Sequence, residues 1–177
     1  MTEFDPQRTA LVLVDLMERV VALPLAPRSG DEVAGKAAEL ARVFRAAGAP
    51  VVVVRVERPG LAEQPPGSGL LEGIAEAGDI EIVKRTVGAF HGTGLDDRLR
   101  ERGVRTLVLA GIATNLGVES TGRAAVDHGY EVVFVEDAMG ALTAEEHRAS
   151  VTLDMPRLGT VVTADALRAR GGVGALG

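Results

Sequence analysis

Polar residues with catalytic potential stand at the carboxyl ends of three apolar segments of the chain. Asp15 directly follows the segment TALVLV, Lys84 ends the segment IEIVK, and residues 112–117 follow the segment TLVLA. Because the carboxyl ends of parallel strands lie at one edge of a sheet, these three features can converge. A helix cap or a solvated charge is the simpler interpretation of any one of them, and Asp15 could cap the helix that follows it. The three together, around a strand-to-helix turn, favour a functional site over separate structural roles.

These residue types fit acid–base chemistry better than nucleophilic chemistry. Burial would raise the pKa of Asp15 and Lys84 would lower it, so the pair could donate or accept a proton near neutral pH. A nucleophile would sit well where a helix begins after TLVLA, but Gly117 has no side chain. Ser120 and Thr121 lie inside the predicted helix, and no histidine lies at a spacing that suggests a base for them.

The elements that must position these residues alternate between apolar strands and helices. Continuous apolar runs are typical of strands buried on both faces, and the predicted strands are Thr9–Val14, Pro50–Val56, Ile80–Lys84, Thr106–Ala110, Glu131–Val135 and Gly159–Val162. The predicted helices are Asp31–Ala47, Leu95–Arg102, Val118–His128, Thr143–Leu153 and Ala164–Ala169. Asp31 and Thr143 are the expected N-caps and Gly48 an expected C-cap. The alternation predicts one α/β domain over residues 1–177, with a parallel sheet covered on both faces.

Two segments fall outside this alternation. Glu57–Gly78 is rich in Gly and Pro and predicts a long loop, which in a compact domain is often a lid or a binding loop. The Gly-rich end, 171–177, is expected to fray.

The composition argues against several classes of function. A net charge of −6 is unfavourable for a general nucleic-acid binder, and the absence of cysteine excludes disulfides, thiolate metal sites and a cysteine nucleophile. No apolar run approaches the roughly 18 residues of a membrane span. The N-terminal segment MTEFDPQRTA does not resemble a secretory signal, so we expect a cytoplasmic protein with no membrane partner.

Neither a metal nor a nucleotide cofactor is expected. His91, His128 and His147 lie far apart in the sequence, without the spacing of metal ligands. The first strand-to-helix turn, VDLMERV, contains no glycine, whereas a GxGxxG turn lets the backbone approach a pyrophosphate. The chain also has no P-loop motif.

The chain resembles the isochorismatase-like hydrolases, also called the cysteine hydrolase superfamily. The resemblance covers nearly the whole chain and rests on TALVLVDLMERV (9–20) and on residues 79–151, which include IVKRTVGAFHGTG and GIATNLGVEST in the same order and spacing. It implies a three-layer α/β/α sandwich around a six-stranded parallel sheet, which is a Rossmann-like fold. It also implies a small-molecule substrate and, since family members often associate, a homodimer or homotetramer.

The resemblance further implies roles for individual residues. Asp15 takes the place of the catalytic acid/base, and Lys84 takes the place of its partner. The family turn G-[IV]-x-T-x-x-C appears here as GIATNLG. In that turn the family has a cis peptide bond, which would join Ile112 and Ala113. The amides of Ala113 and Gly117 would then point at a substrate oxygen.

The chain departs from the family pattern at the nucleophile, because Gly117 stands where the family has Cys. Met17 stands where many members carry Gln, and the metal ligands of nicotinamidases have no match. True isochorismatases also lack the cysteine and cleave a vinyl ether by acid chemistry, but they have Ala-His where this chain has Thr114-Asn115. The segments NLGVEST and GAFHGT resemble a branch with the same Gly and no assigned reaction. Within them, Phe90 and Asn115 are further candidates for the pocket wall.

Three interpretations stay open at this point. The first is a hydrolase without covalent catalysis, in which water attacks a vinyl ether, a small ester or an amide. The second is a catalytically inactive protein that binds a small molecule on the same scaffold. The third is another class of enzyme, such as a nucleotide-binding oxidoreductase, for which the glycine-rich turn is missing.

Overall fold

The computed structural model describes residues 5–170, and a sheet of six parallel strands forms its centre. The strands are β1 (Thr9–Val14), β2 (Val51–Val56), β3 (Ile80–Lys84), β4 (Thr106–Ile112), β5 (Glu131–Gly140) and β6 (Thr160–Val162). Their order across the sheet is β3-β2-β1-β4-β5-β6. The chain therefore adds β2 and β3 on one side of β1 and then β4, β5 and β6 on the other. In open α/β sheets ligands bind in the crevice at such a switch point, here between β1 and β4.

Helices cover both faces of this sheet. They are α1 (Glu18–Val21), α2 (Gly30–Ala46), α3 (Leu95–Arg100), α4 (Glu119–Asp127), α5 (Ala144–Ala149) and α6 (Ala164–Arg170). A π-helical turn, Thr114–Val118, joins β4 to α4. None of the helices within residues 5–170 has the length and hydrophobicity that a membrane crossing requires.

Strand β1 lies inside the sheet, between β2 and β4, and this position explains its uninterrupted apolar sequence. Ala10, Val12 and Val14 pack into the core layer that includes α3 and α4, whereas Leu11 and Leu13 pack into the layer that includes α2 and α6. Every residue of β1 is buried, because successive side chains of a strand point to opposite faces and both faces are covered. The predicted three-layer α/β fold with six parallel strands is confirmed.

Strand β5 is longer than the sequence predicts, since it continues past Val135 to Gly140. The sequence places the end of this strand at Glu136 and Asp137. Both are only half-buried, and Arg28 donates a hydrogen bond of 3.2 Å to the backbone carbonyl oxygen of Glu136. The Asp137 carboxylate accepts one of 2.7 Å from the amide of Ala164, where α6 begins.

One predicted helix cap is wrong and another is confirmed. Helix α2 is capped by Ser29, not by Asp31, because Ser29 and Glu32 form a reciprocal capping box. Gly48 lies just after the C-cap of this helix, with φ of 72°. Thr143 caps α5 as predicted.

The long loop 57–78 contains neither a helix nor a regular strand, and its second half packs against the segment after β1. The amide of Leu71 donates to the carbonyl oxygen of Leu16 at 2.9 Å, and the amide of Arg19 donates to that of Gly67 at 3.0 Å. Ile74 is buried in the core layer of α2. The expected fraying of 171–177 lies outside the described residues.

We predict opposite effects of Gly→Ala changes on two helices. In Gly122→Ala, the new Cβ would lie 2.5 Å from the Phe134 ring, so overpacking should lower the free energy of unfolding by about 1–3 kcal/mol. In Gly35→Ala, the exposed Cβ meets nothing within 4 Å. Its better helix propensity should raise the unfolding free energy by about 0.5–1 kcal/mol. Urea denaturation measures both, and stabilisation by Gly122→Ala would contradict this account of the contact between α4 and β5.

Candidate active site

The switch point of the sheet brings the strand-end residues together. Asp15 directly follows β1, and the turn to Gly117 follows the neighbouring strand β4. Lys84 ends β3, two strands from β1, and its side chain reaches across the end of β2. All three line one cavity of about 420 Å³.

Asp15 and Lys84 form a buried ion pair, with 2.9 Å between Lys84 Nζ and Asp15 Oδ2. Lys84 is 2% exposed and Asp15 is 8% exposed. The Lys84 ammonium also donates a short hydrogen bond to the carbonyl oxygen of Val87. In contrast, Asp15 Oδ1 is buried and has no hydrogen-bond partner among residues 5–170. The carboxyl group is therefore held through one oxygen, while the other is free.

Burial raises the pKa of the Asp15 carboxyl above its ordinary value, although the charges of Lys84 and Arg19 and the hydrogen bond from Lys84 act in the opposite direction. Desolvation disfavours the carboxylate, and it is the largest of these effects here. The pKa of Asp15 thus moves toward the range in which a carboxyl group can both hold and release a proton.

The backbone at Asp15 adopts an uncommon conformation, with φ of 52°. Two hydrogen bonds hold it: the Asp15 amide donates to the carbonyl oxygen of Val54 at 2.9 Å, and the Asp15 carbonyl accepts from the amide of Met17 at 2.8 Å. Asp is among the few residue types that tolerate this left-handed region. Met17 is fully buried, and its sulfur accepts a hydrogen bond from the amide of Val56, so it packs under the site.

The turn after β4 approaches β1 closely. Gly111 has φ of 120°, and a Cβ at this position would collide with the carbonyl oxygen of Val14, so only glycine fits. The peptide bond between Ile112 and Ala113 is cis. Ala113 and Gly117 both line the cavity.

Two buried threonines hold this turn in place. Thr114 Oγ1 lies 2.8 Å from His147 Nδ1, and both residues are buried. On α4, the Thr121 hydroxyl donates to the carbonyl oxygen of Gly117 at 2.6 Å and accepts from the amide of Ala89 at 3.1 Å. The turn is therefore fixed to α5 on one side and to α4 on the other.

The sequence did not indicate a role for His147. It lies in the core, where burial and then the charge of Arg28 lower the pKa of its imidazole, so the neutral form is favoured. Thr114 lies 33 positions away in the chain, and no spacing rule connects residues so far apart. Within residues 5–170, no group of three or more His, Cys, Asp or Glu side chains is placed to hold a metal ion.

Two residues expected in the pocket wall do not line this cavity. Phe90 stacks on His128, with 4.9 Å between the ring centroids, and also contacts Tyr130. This packing draws its ring into the core layer of α3 and α4. Asn115 is half-buried in the turn, and its neighbour Leu116 lines the cavity instead.

Comparison with known proteins defines the family. The Isochorismatase domain family matches residues 9–166, and the chain belongs to this family of hydrolases. It is 42% identical to the isochorismatase family protein YecD of Escherichia coli O157:H7, over 91% of this chain and 95% of that protein. It is 32% identical to the ureidoacrylate amidohydrolase RutB of Methylobacterium radiotolerans, over 83% of this chain and 73% of RutB.

A solved structure supports the same conclusion. An isochorismatase family protein from Burkholderia thailandensis superposes with a TM-score of 0.83 at 37% identity, over 95% of this chain and 97% of that protein. Membership of this hydrolase family argues against a nucleotide-binding oxidoreductase.

We predict that Lys84→Met destabilises the protein in a pH-dependent way. The variant leaves the Asp15 carboxylate buried without a partner, which should cost about 3–5 kcal/mol of unfolding free energy at neutral pH. Without Lys84 the pKa of Asp15 rises further above its unfolded-state value of 3.8. A carboxyl group whose pKa is raised by folding stabilises the protein at low pH, and that stability is lost as pH rises through the folded-state pKa.

Urea denaturation from about pH 4, near the ordinary pKa of carboxyl groups, up to about pH 8 measures this loss. The control is the double variant Asp15→Asn/Lys84→Met, which removes both charges and should recover most of the stability at neutral pH. Equal pH dependence of the single and double variants would show that Asp15 does not carry the buried charge.

Proposed function

We propose that this protein hydrolyses a small molecule by acid–base chemistry of Asp15 and Lys84, without a covalent intermediate. The observation that carries the proposal is the buried ion pair of these two residues in a cavity beside Gly117. Residue 117 has no side chain to attack the substrate, so water is the proposed nucleophile. The chemistry then depends on proton transfer and on charge stabilisation.

The Asp15 carboxyl is the proposed proton-transfer group. Its Oδ2 borders the space at Gly117, since a Cβ built at Gly117 would lie 3.3 Å from it, whereas Oδ1 is buried without a partner among the described residues. As a carboxylate the group would accept a proton from the attacking water, and as a carboxylic acid it would donate one to the leaving group. Positioned acid–base catalysis of this kind contributes about 10²–10⁴-fold to a rate.

Lys84 and two backbone amides are proposed to stabilise negative charge on the substrate. The Lys84 ammonium is fixed by Asp15 and by the Val87 carbonyl oxygen, so it needs little rearrangement during the reaction. Ala113 directly follows β4 and lines the cavity. With the amide of Gly117 its amide would form an oxyanion site, in which fixed donors stabilise the charge that develops in the transition state.

The space at Gly117 supports water as the nucleophile. A Cβ built there would lie 3.0 Å from Val14 Cγ1, 3.3 Å from Asp15 Oδ2 and 3.4 Å from Lys84 Nζ. Without that Cβ, this volume directly beside the ion pair is open to a water molecule or to the substrate. A vinyl ether, an ester or an amide fits the site. An amide is the hardest of these to cleave. A thiolate nucleophile would divide its cleavage into two easier steps, and this chain has no cysteine to supply one.

The second candidate is a binding protein that keeps the cavity and has lost the reaction. The glycine at the nucleophile position favours it. In either case we propose a small-molecule ligand, no metal or cofactor, and a homodimer or homotetramer, as the family resemblance implies. The cytoplasmic location remains a prediction from the sequence.

We predict that Asp15→Asn abolishes turnover while a ligand still binds. Small carboxylates, amides, esters and vinyl ethers are first screened for thermal stabilisation of the protein, and each binder is then assayed for hydrolysis. Loss of the proton-transfer group should lower kcat by about 10²-fold or more. Binders that the wild-type protein never hydrolyses would favour the binding protein instead.

We predict that the thiol of Gly117→Cys is acidic and reacts rapidly with iodoacetamide. Residue 117 is not among the glycines with positive φ, so Cys fits the backbone, and its Cβ would lie 3.4 Å from Lys84 Nζ. The ammonium and the nearby amides should lower the thiol pKa below the ordinary value of about 8.5, whereas Asp15 opposes this shift.

The control is Gly35→Cys on the exposed face of α2. The chain has no cysteine of its own, so each variant has a single thiol whose alkylation rate is measured against pH. The thiol of this control should have a pKa of about 8.5. A folded Gly117→Cys variant that titrates there or higher would mean that the pocket does not stabilise an anion.

A further inference from the structure

Exposed hydrophobic side chains concentrate around the mouth of the candidate active site. Within residues 5–170, seven large hydrophobic side chains are more than a third exposed. Four of the seven line the cavity that contains Asp15 and Lys84. We call these four the apolar rim: Leu23 (43% exposed), Val87 (55%), Leu116 (50%) and Leu142 (49%).

The four rim residues come from four separate connections in the chain. Leu23 follows α1, Val87 follows β3, Leu116 lies in the turn after β4, and Leu142 follows β5. Single exposed hydrophobic residues are common on protein surfaces. Exposed hydrophobic side chains that cluster in one place mark ligand-binding grooves and interaction sites, and these four share one cavity. This patch borders the reacting groups, so an occupant of the cavity would contact both.

The cavity wall contains further apolar residues and a few charged ones. Val20, Leu25 and Ile112 add to its apolar surface. Glu57, Arg58 and Arg85 are charged residues of the same wall. Glu57 is already paired with Arg85 and with Arg55, so part of this charge is neutralised within the protein.

We infer that the substrate carries an apolar group of several carbons, aliphatic or aryl, which packs on the apolar rim while the bond to be cleaved reaches Asp15. The inference rests on the proposed function for the identity of the reacting end. A cavity of about 420 Å³ accommodates such a molecule, since small-molecule sites occupy roughly 300–1,000 Å³. The rim thus selects substrates by the apolar part that does not react.

The test measures binding of straight-chain primary amides to the wild-type protein by NMR titration. Each methylene group that the rim takes out of water should contribute about 0.8 kcal/mol, which is about a fourfold gain in affinity. Hexanamide should therefore bind about fifteenfold more tightly than butyramide, which is two methylene groups shorter. A flat dependence on chain length, or failure of hexanamide to saturate the protein, would overturn the inference.

Leu116→Ala and Leu142→Ala should each reduce the gain in affinity between butyramide and hexanamide. The matched control is Leu153→Ala, because Leu153 is also well exposed to solvent, at 60%, but does not line the cavity. It should leave the gain unchanged. Equal effects of all three substitutions would also overturn the inference.

Two further measurements distinguish a substrate-binding rim from an inactive site and from a subunit contact. Asp15→Asn removes the proposed acid but should keep the dependence of affinity on chain length. Absence of turnover in the wild-type protein would therefore count against the proposed reaction only, whereas loss of the chain-length dependence would count against binding at the apolar rim. Light scattering tests whether a second copy of the chain covers the rim instead. A lower mass for Leu116→Ala or Leu142→Ala, with the chain-length dependence unchanged, would assign the rim to subunit contact and overturn the inference.

Discussion

The buried ion pair between Asp15 and Lys84 is the constraint on which the rest of this site depends. Removing two charges from water costs several kcal/mol per ion, and close contact with further hydrogen bonds is needed to offset that cost. Lys84 meets this condition through Asp15 and the Val87 carbonyl oxygen. Asp15 meets it only in part, since Oδ1 has no partner among residues 5–170. The fold therefore buries one carboxylate oxygen without a hydrogen bond from the described residues, at the carboxyl end of the strand β1.

The surrounding framework explains how this arrangement persists. Asp15 continues from a strand whose two faces are both covered by hydrophobic core, and its backbone is fixed by hydrogen bonds to Val54 and Met17. The facing turn is tied down by Thr114 and Thr121. Burial of the pair raises the pKa of the Asp15 carboxyl and also limits access of bulk water. The same packing therefore both shifts the pKa of Asp15 and separates the ion pair from bulk solvent.

The sequence predicted what depends on local pattern and on sheet topology. Continuous apolar segments located all six strands, and their carboxyl ends indicated that Asp15, Lys84 and Gly117 would converge. The length of β5 was missed, because no pattern shows that Asp137 finds a partner in the amide of Ala164. The contact of Thr114 with His147 was missed for the same reason. The apolar rim could not be predicted, since its residues come from four loops whose paths depend on the finished fold.

Gly111, near the end of β4, and Gly117, in the turn that follows, are constrained very differently. A side chain at Gly117 would meet mainly the ends of other side chains, at 3.0 Å or more, which can move aside by a few tenths of an ångström. A side chain at Gly111 would meet the backbone of Val14 itself, and it would force apart the two strands that flank the crevice. The residue at position 117 can therefore be exchanged by a single substitution, whereas Gly111, which lies where the two halves of the sheet meet, cannot. In evolutionary terms, such a scaffold can change its reaction mechanism while its architecture stays fixed.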